Sequence, residues 1–313
     1  MIPHVRTLSL ILGAAALAAC SPKPADAPKA PAAVPSAAIA AANAIAASAK
    51  PDQFSPLMQA IFPKYRPASH DALAELPSFE DAKQKDFYLV TAVASTLLTN
   101  GETVLVANAE PANAAGESTS SHADGGGVNV YFLRQEAGKW VLLRRQENIA
   151  VAGSMGNFGG VEFINLSTTK RGFLVLGGGT WQGSTIEALS IFDLTMPIMR
   201  ELTDKGGIRL SSDNEGGCEQ DKGDCWSVNG KWHFDAPKPG ATYAELVIDF
   251  SGTLPAAAQE GGSASASANG SASAAAKAAA SATAQDKALG KARYAFDGTA
   301  FRLIDGKNAA PEI

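Results

Sequence analysis

Residues 87–107 read FYLVTAVASTLLTNGETVLVA, and this stretch decides the fold. Two runs of apolar and β-branched residues flank Asn100-Gly101, which is the strongest short signal for a β-hairpin. A type I′ turn needs positive φ at both of its central residues, and asparagine and glycine tolerate that conformation best. The stretch therefore predicts two antiparallel strands joined by a type I′ turn.

Similar patterns recur along the rest of the chain. Residues 128–134 (VNVYFLR) alternate, so that Val128, Val130 and Phe132 share one face. Asn229-Gly230 predicts a second tight turn. Further candidate strands lie at 139–146, 161–166, 173–176, 185–194, 243–250 and 294–304. Together they predict a mainly β domain over residues 79–313, an antiparallel sandwich or open barrel rather than a propeller, because the repeats are irregular.

Residues 51–78 predict a short helical segment at the front of the sheets. Ser55 is a suitable N-cap, Pro56 fits the first helical position, and Pro63 ends the pattern. The apolar residues of this helix share one face: Leu57, Met58, Ile61 and Phe62. Residues 71–76 predict one or two further helical turns.

Two segments have a composition that does not form a core. Residues 20–50 are rich in proline and alanine and lack aromatic residues, which predicts a disordered, extended tether. Residues 256–291 are rich in alanine, serine and glycine. They predict a low-complexity loop between two strands that pair without it, because the entropy of loop closure grows only slowly with length.

Cys218 and Cys225 predict a structural disulfide that closes a short loop. A redox pair usually has two intervening residues at a helix start, and this pair has neither. A zinc site needs further ligands, and only His233 is near in sequence. The formal charge of -5 makes nucleic acid an unfavourable direct partner.

The N-terminus has the parts of a secretory signal. Arg6 gives a basic start, and residues 7–19 form an apolar run that is shorter than the ~20 residues needed to span a bilayer. The run ends in Leu17-Ala18-Ala19-Cys20. This arrangement resembles the signal peptide and lipobox of bacterial lipoproteins. The alternative is an ordinary secreted protein whose signal ends in Ala-Ala-Cys.

The resemblance implies that residues 1–19 are removed and that Cys20 becomes an acylated N-terminus carrying lipid chains such as palmitate. Each buried methylene of those chains contributes about 0.8 kcal/mol, so two or three chains give a durable anchor. Ser21, where an aspartate would imply retention in the inner membrane, implies delivery to the outer membrane. The domain would then face the periplasm.

Several motifs suggest chemistry, each with a plainer interpretation. Ser154, in Gly-Ser-Met-Gly, lacks the spacing of a nucleophile elbow and is better explained as part of a glycine-rich loop. The triple glycine at 177–179 predicts a wide turn rather than a phosphate loop. Glu162 and Glu187 lie on neighbouring candidate strands and could form a glycosidase pair, although strand carboxylates usually face solvent. Five acidic residues could ligate calcium, but their spacing fits no EF-hand: Asp213, Glu215, Glu219, Asp221 and Asp224.

Four tryptophans are possible binding aromatics: Trp140, Trp181, Trp226 and Trp232. On an exposed sheet face they would form a platform for sugars or peptides. The alternative is cross-strand packing in the core.

These observations predict a lipoprotein of the cell envelope that acts as a binding or interaction module. Its expected partners are the membrane, through the lipid anchor, and an envelope protein or glycan, with no cofactor, no metal and no nucleic acid. The alternatives are an envelope hydrolase acting on glycan or peptide and a purely structural lipoprotein. The sequence favours a non-enzymatic role and leaves the oligomeric state open.

Overall fold

The computed structural model describes residues 51–218, 225–255 and 287–312, which form two antiparallel sheets. The first sheet contains β1 (Tyr65–Arg66), β2 (Asp71–Pro77), β3 (Lys85–Leu97), β4 (Thr103–Ala112), β5 (Gly126–Glu136), β6 (Lys139–Gln146) and β7 (Val151–Ala152). The second contains β8 (Gly160–Asn165), β9 (Arg171–Trp181), β10 (Ser184–Asp193), β11 (Ile208–Asp213), β12 (Ser227–Phe234), β13 (Leu246–Thr253), β14 (Ala288–Phe296) and β15 (Phe301–Gly306). The predicted mainly β fold is therefore confirmed.

Both sheets are meanders, in which strands that follow each other in sequence pair side by side. β1 to β6 lie in chain order, and β7 adds a short pairing to β5. β8 to β15 also lie in chain order, and one of the two sheets curls into a half-barrel. The structure thus has features of both predicted architectures, the sandwich and the open barrel.

One helix covers the outer face of the first sheet. A single 3-10 turn (Pro51–Phe54) leads into α1 (Ser55–Ile61), whose predicted apolar face is buried. The predicted cap is wrong, because Phe54 occupies the N-cap position and the Ser55 hydroxyl lies 3.1 Å from the Tyr65 hydroxyl instead. No helix among the described residues is long and apolar enough to cross a membrane.

The predicted helical turns at residues 71–76 are wrong. This segment forms β2 and pairs with β3, with Ala72 opposite Val90 and Leu76 opposite Asp86. Ala72 and Leu76 pack into the core between the sheet and α1. Tertiary pairing with a long neighbouring strand overrides the weak local preference of this segment.

The central strands of the first sheet are buried on both faces. On β4, Val104 and Val106 face the second sheet, whereas Leu105 and Ala107 face α1. On β5, the predicted face of Val128, Val130 and Phe132 also packs against the second sheet. The continuous apolar run of β4 is the sequence signature of this double burial.

The tight turns are not where Asn-Gly predicts them. β3 and β4 are joined by a longer loop in which Gly101 has a φ of 81° and its N–H donates to the Leu98 carbonyl at 3.0 Å. Asn100 does not have positive φ, so the predicted type I′ turn is wrong. Positive φ at two successive residues occurs instead at Ala137-Gly138, between β5 and β6, and at 182–183, between β9 and β10.

Asn229-Gly230 lies inside β12, so the second predicted turn is also wrong. Gly230 pairs with Phe250 of β13, and a Cβ there would approach the Leu210 carbonyl oxygen to 2.6 Å. Glycine is needed here for close packing rather than for a turn.

The triple glycine at 177–179 lies inside β9 rather than in the predicted wide turn. A Cβ at Gly178 would lie 2.0 Å from the Ile186 carbonyl oxygen of the neighbouring strand. A Cβ at Gly177 would lie 2.5 Å from the carbonyl oxygen of Phe158, in the segment that connects the two sheets. These glycines allow the connecting segment to pack directly on the strand.

A buried asparagine fixes the same connecting segment to the first sheet. The Asn108 side chain donates to the Gly156 carbonyl at 2.8 Å and accepts from the Phe158 N–H at 3.1 Å. Phe158 is itself fully buried in the core between the sheets. This contact helps to set how the two sheets meet.

Two further predictions concern the second sheet. β13 and β14 pair directly, with Leu246 opposite Tyr294, as expected if the low-complexity segment is inserted between paired strands. Of the predicted loop at 256–291, residues 256–286 lie outside the described residues. Its predicted end is wrong, because residues 288–291 already belong to β14 and pair with β13. The predicted disulfide is confirmed, because Cys218 is bonded to Cys225.

Candidate functional site

A cleft lies where the two sheets meet. It has a volume of about 730 Å³. Its walls are the β3–β4 loop and residues 165–171, which contain the β8–β9 turn, and Phe132, Arg144, Leu194 and Thr195 complete it. We call it the junction cleft. Clefts of this size between structural layers are the usual places for ligands.

Arg144 of β6 is held rigidly in this cleft. Its guanidinium carbon lies 3.8 Å from the centre of the Phe132 ring, directly across the sheet on β5. The same guanidinium donates to the carbonyl oxygens of Met196 at 3.2 Å and Pro197 at 3.5 Å. Arg144 therefore bridges the two sheets while keeping its charge at the cleft.

Arg171 begins β9 on the opposite wall of the cleft. Its guanidinium donates to the Asn165 side-chain oxygen at 3.0 Å. Burial lowers the pKa of Arg171, because partial removal from water disfavours the charged form. The positively charged guanidinium of Arg171 is therefore partly shielded from water.

Lys170, beside Arg171, is paired with a carboxylate behind the cleft wall. The Asp193 side chain is fully buried, and it accepts from Lys170 Nζ at 3.1 Å and from the Tyr243 hydroxyl at 2.9 Å. It also accepts from the Thr195 N–H at 2.7 Å and the Thr195 hydroxyl at 2.6 Å. Every oxygen of this buried carboxylate is therefore hydrogen-bonded.

The pKa values in this cluster follow from its geometry. Burial raises the pKa of Asp193, but the hydrogen bonds from Thr195, Tyr243 and Lys170 outweigh burial, and the net pKa lies below its ordinary value. Burial, and then the hydrogen bond donated to Asp193, raise the pKa of Tyr243. Asp193 therefore remains ionised at neutral pH and supports the cleft wall.

The junction cleft carries a positive charge excess. Four charged side chains line it, three of them positive (Arg144, Lys170, Arg171) and one negative (Glu102). Glu102 pairs with Arg134 at 3.1 Å, and Lys170 pairs with Asp193. Within residues 51–218, 225–255 and 287–312, no carboxylate lies within 4.0 Å of the guanidinium of Arg144 or Arg171. Both arginines can therefore act on an external anion.

A second cleft of about 610 Å³ opens on the second sheet and is partly filled by the C-terminal residues 307–312. We call it the barrel mouth. Its two arginines are paired within the chain: Arg209 with Glu312 at 3.0 Å, and Arg302 with Asp204 and Asp297. Arg209 also donates to the Ala310 carbonyl oxygen at 3.0 Å. Both arginines of the barrel mouth are therefore paired by groups of the chain itself.

The four predicted binding tryptophans do not share an exposed face. Trp226 is buried in the core of the second sheet, and Trp232 packs partly buried against the same core. Trp140 packs against the core beneath α1. Only Trp181 is exposed among the four, at 39%. The expected platform is not formed, and the alternative of core packing describes Trp226 best.

The predicted glycosidase pair is not assembled. Glu162 on β8 and Glu187 on β10 are separated by β9, where they pair with Leu174 and Gly178. This register places their Cα atoms roughly 16 Å apart, from about 3.4 Å per residue along a strand and about 4.8 Å between strands. The two residues are therefore not on neighbouring strands, as the glycosidase hypothesis assumed.

The other predicted polar sites also have plainer explanations where they are described. The Ser154 hydroxyl donates to the Gly178 carbonyl oxygen at 3.0 Å and so supports the glycine-rich contact. Asp213 accepts the Glu215 N–H at 3.1 Å, and no group of three possible metal ligands occurs among the described residues. The remaining members of the acidic cluster, at 219, 221 and 224, lie outside the described residues.

The predicted lipobox with Cys20 and the predicted tether also lie outside the described residues. Sequence reasoning missed the junction cleft, because its residues come from β3, β5, β6, β8, β9 and the loops beside them, and meet only after the sheets pack. The sequence contains only a weak indication of this cleft. Arg144 is followed by Arg145 and Lys170 by Arg171, so both cationic residues stand in basic pairs near strand ends.

Comparison of the chain with family models, curated proteins and solved structures finds no significant match.

Proposed function

We propose that the protein is a lipid-anchored binding module of the cell envelope. Two features support the proposal. The lipobox at Leu17-Ala18-Ala19-Cys20 provides an acylation site, and a tether separates it from the first described strand. The folded part presents a cleft in which the guanidinium groups of Arg144 and Arg171 have no carboxylate partner among the described residues.

The single observation that carries a binding role is the pair of arginines in the junction cleft. A partly buried guanidinium is costly when its N–H donors are not hydrogen-bonded, and Arg171 makes only one such bond among the described residues, to Asn165. An anionic ligand would supply further acceptors. For the alternative role as a hydrolase, the predicted pair of Glu162 and Glu187 lies on strands that are separated by β9. Binding is therefore the function that the geometry supports best.

The anchor is tested by Cys20→Ser in the full chain, expressed in a bacterial host. We expect the unchanged chain to incorporate an alkyne analogue of palmitate and to sediment with outer membranes. We expect the variant to take up no label and to move to the soluble fraction, because the lipid provides the main affinity for the bilayer.

Cys218→Ser with Cys225→Ser is a matched control, because it also replaces thiols but leaves the lipobox intact. This double variant should still take up the label. Membrane association of Cys20→Ser that equals that of the unchanged chain would contradict the anchor. Delivery to the inner membrane would contradict only the assignment based on Ser21.

A further inference from the structure

We infer that the junction cleft binds an oxyanion, the phosphate or carboxylate group of a small ligand, through the guanidinium groups of Arg144 and Arg171. The inference rests on the proposed binding role and deepens it by naming the site and the ligand chemistry. An arginine guanidinium has five N–H donors in a planar fork, which matches the oxygens of phosphate and carboxylate groups.

The first support is the unused donor capacity of the two arginines. One bond to Asn165 is the only side-chain contact that Arg171 makes among the described residues at hydrogen-bond distance. Arg144 donates only to backbone carbonyl oxygens in the described part of the chain. Since both side chains line the same cleft, an anion there could accept from both walls.

The second support is that the arginines are held in place before a ligand arrives. The Arg144 guanidinium stacks on Phe132 and contacts the loop of Met196 and Pro197. Arg171 is held by Asn165 at the beginning of a strand. Little side-chain entropy is lost when such groups bind, and this favours affinity.

The third support is the composition of the rest of the cleft. Leu97 is 71% exposed and lines the cleft with Leu98 and Leu194. Apolar contacts beside two cations suit a ligand whose anionic group is joined to a short apolar segment. Such a ligand should bind more tightly than the bare anion, because each buried methylene adds favourable transfer free energy.

The test is calorimetric titration of the full chain with inorganic phosphate, hexyl phosphate and hexanoate at constant ionic strength. We expect inorganic phosphate to bind in the millimolar range and hexyl phosphate to bind about tenfold more tightly or better. Hexyl phosphate and hexanoate both carry a six-carbon chain, so their comparison distinguishes the two oxyanion classes. Absence of binding by all three would overturn the inference, and equal affinity for both phosphates would refute the role of the leucines.

Arg171→Gln should weaken binding of hexyl phosphate about tenfold or more, because it removes charge-assisted hydrogen bonds. Arg145→Gln is the matched control: Arg145 neighbours Arg144 on β6, lies outside the cleft lining and pairs with Glu147 at 3.2 Å. It should bind as the unchanged chain does. An equal loss in both variants would place the anion elsewhere and overturn the inference.

If Arg171→Gln does not fold, Arg171→Lys supplies the same test. It keeps the charge but loses the planar fork, so affinity should fall several-fold while the fold is retained. Unchanged affinity in this folded variant would count against the role of Arg171. Because Cys20→Ser should bind hexyl phosphate normally, failure of the anchor and failure of the cleft give different results.

Discussion

The junction cleft and the barrel mouth both contain arginines, but only the barrel mouth pairs them with carboxylates of the same chain. In the barrel mouth, Arg209 contacts Glu312 and Arg302 contacts Asp204. In the junction cleft, Arg144 and Arg171 contact only aromatic, carbonyl and amide groups among the described residues. The comparison distinguishes arginines that form ion pairs within the chain from arginines that remain available for a ligand.

The same contrast separates two kinds of carboxylate. Asp193, behind the cleft wall, is fully buried and hydrogen-bonded on all sides, whereas Asp204 at the barrel mouth is 63% exposed. A buried anion whose donors are all in place stabilises the structure around it, while an exposed pair contributes little. The cleft is thus supported by a rigid buried network, and its binding groups lie in front of that network.

The largest expected effect comes from breaking the network behind the cleft. Asp193→Asn should lower the free energy of unfolding by about 3 kcal/mol, because it removes the charge that pairs with Lys170 and replaces one acceptor oxygen with an NH2 group that faces other donors. Asp204→Asn is the control at the barrel mouth and should cost less than about 1 kcal/mol. Urea denaturation measures both. Equal costs would contradict the contrast between the two regions.

A second prediction concerns the packing of the segment that connects the two sheets. A Cβ at Gly126 would lie 2.0 Å from the Asn108 side-chain oxygen and 2.6 Å from the Phe158 nitrogen, so both atoms would have to move. Gly126→Ala should therefore destabilise the protein by about 1 to 3 kcal/mol.

Gly160→Ala is a suitable control for that substitution. The nearest atom to a Cβ at Gly160 is 4.0 Å away, and this residue does not have positive φ. Its effect on stability should be within about 0.5 kcal/mol. A neutral Gly126→Ala would show that the Asn108 contact does not define the junction of the sheets.

The same elements show which features of the structure can be predicted from the sequence. The hairpin of β3 and β4 and the buried face of β5 follow from local patterns, because burial and alternation are encoded residue by residue. The position of Gly230 and of the glycines at 177–179 inside strands could not be predicted, because glycine occurs both in turns and where two backbones pack closely. Arg144 and Arg171 line the same cleft only because the two sheets pack against each other, and no local sequence pattern encodes that packing.

The smallest of the stability effects is the dependence on pH. Asp193 has a pKa below its ordinary value in the folded protein, so the unfolded chain takes up a proton first as the pH falls. The contribution of Asp193 is therefore fully present above about pH 4 and is lost as the pH falls through the lower pKa of the folded state. The difference in stability between the unchanged chain and Asp193→Asn should shrink over that interval. A constant difference would contradict the assignment.

The most direct test of the contrast between the two regions is nuclear magnetic resonance of the arginine Nε–H groups during titration with hexyl phosphate. We predict that the signals of Arg144 and Arg171 shift in a saturable way while those of Arg209 and Arg302 stay in place, because the latter are already paired. Saturable shifts at Arg209 and Arg302, with Arg144 and Arg171 unchanged, would contradict the account.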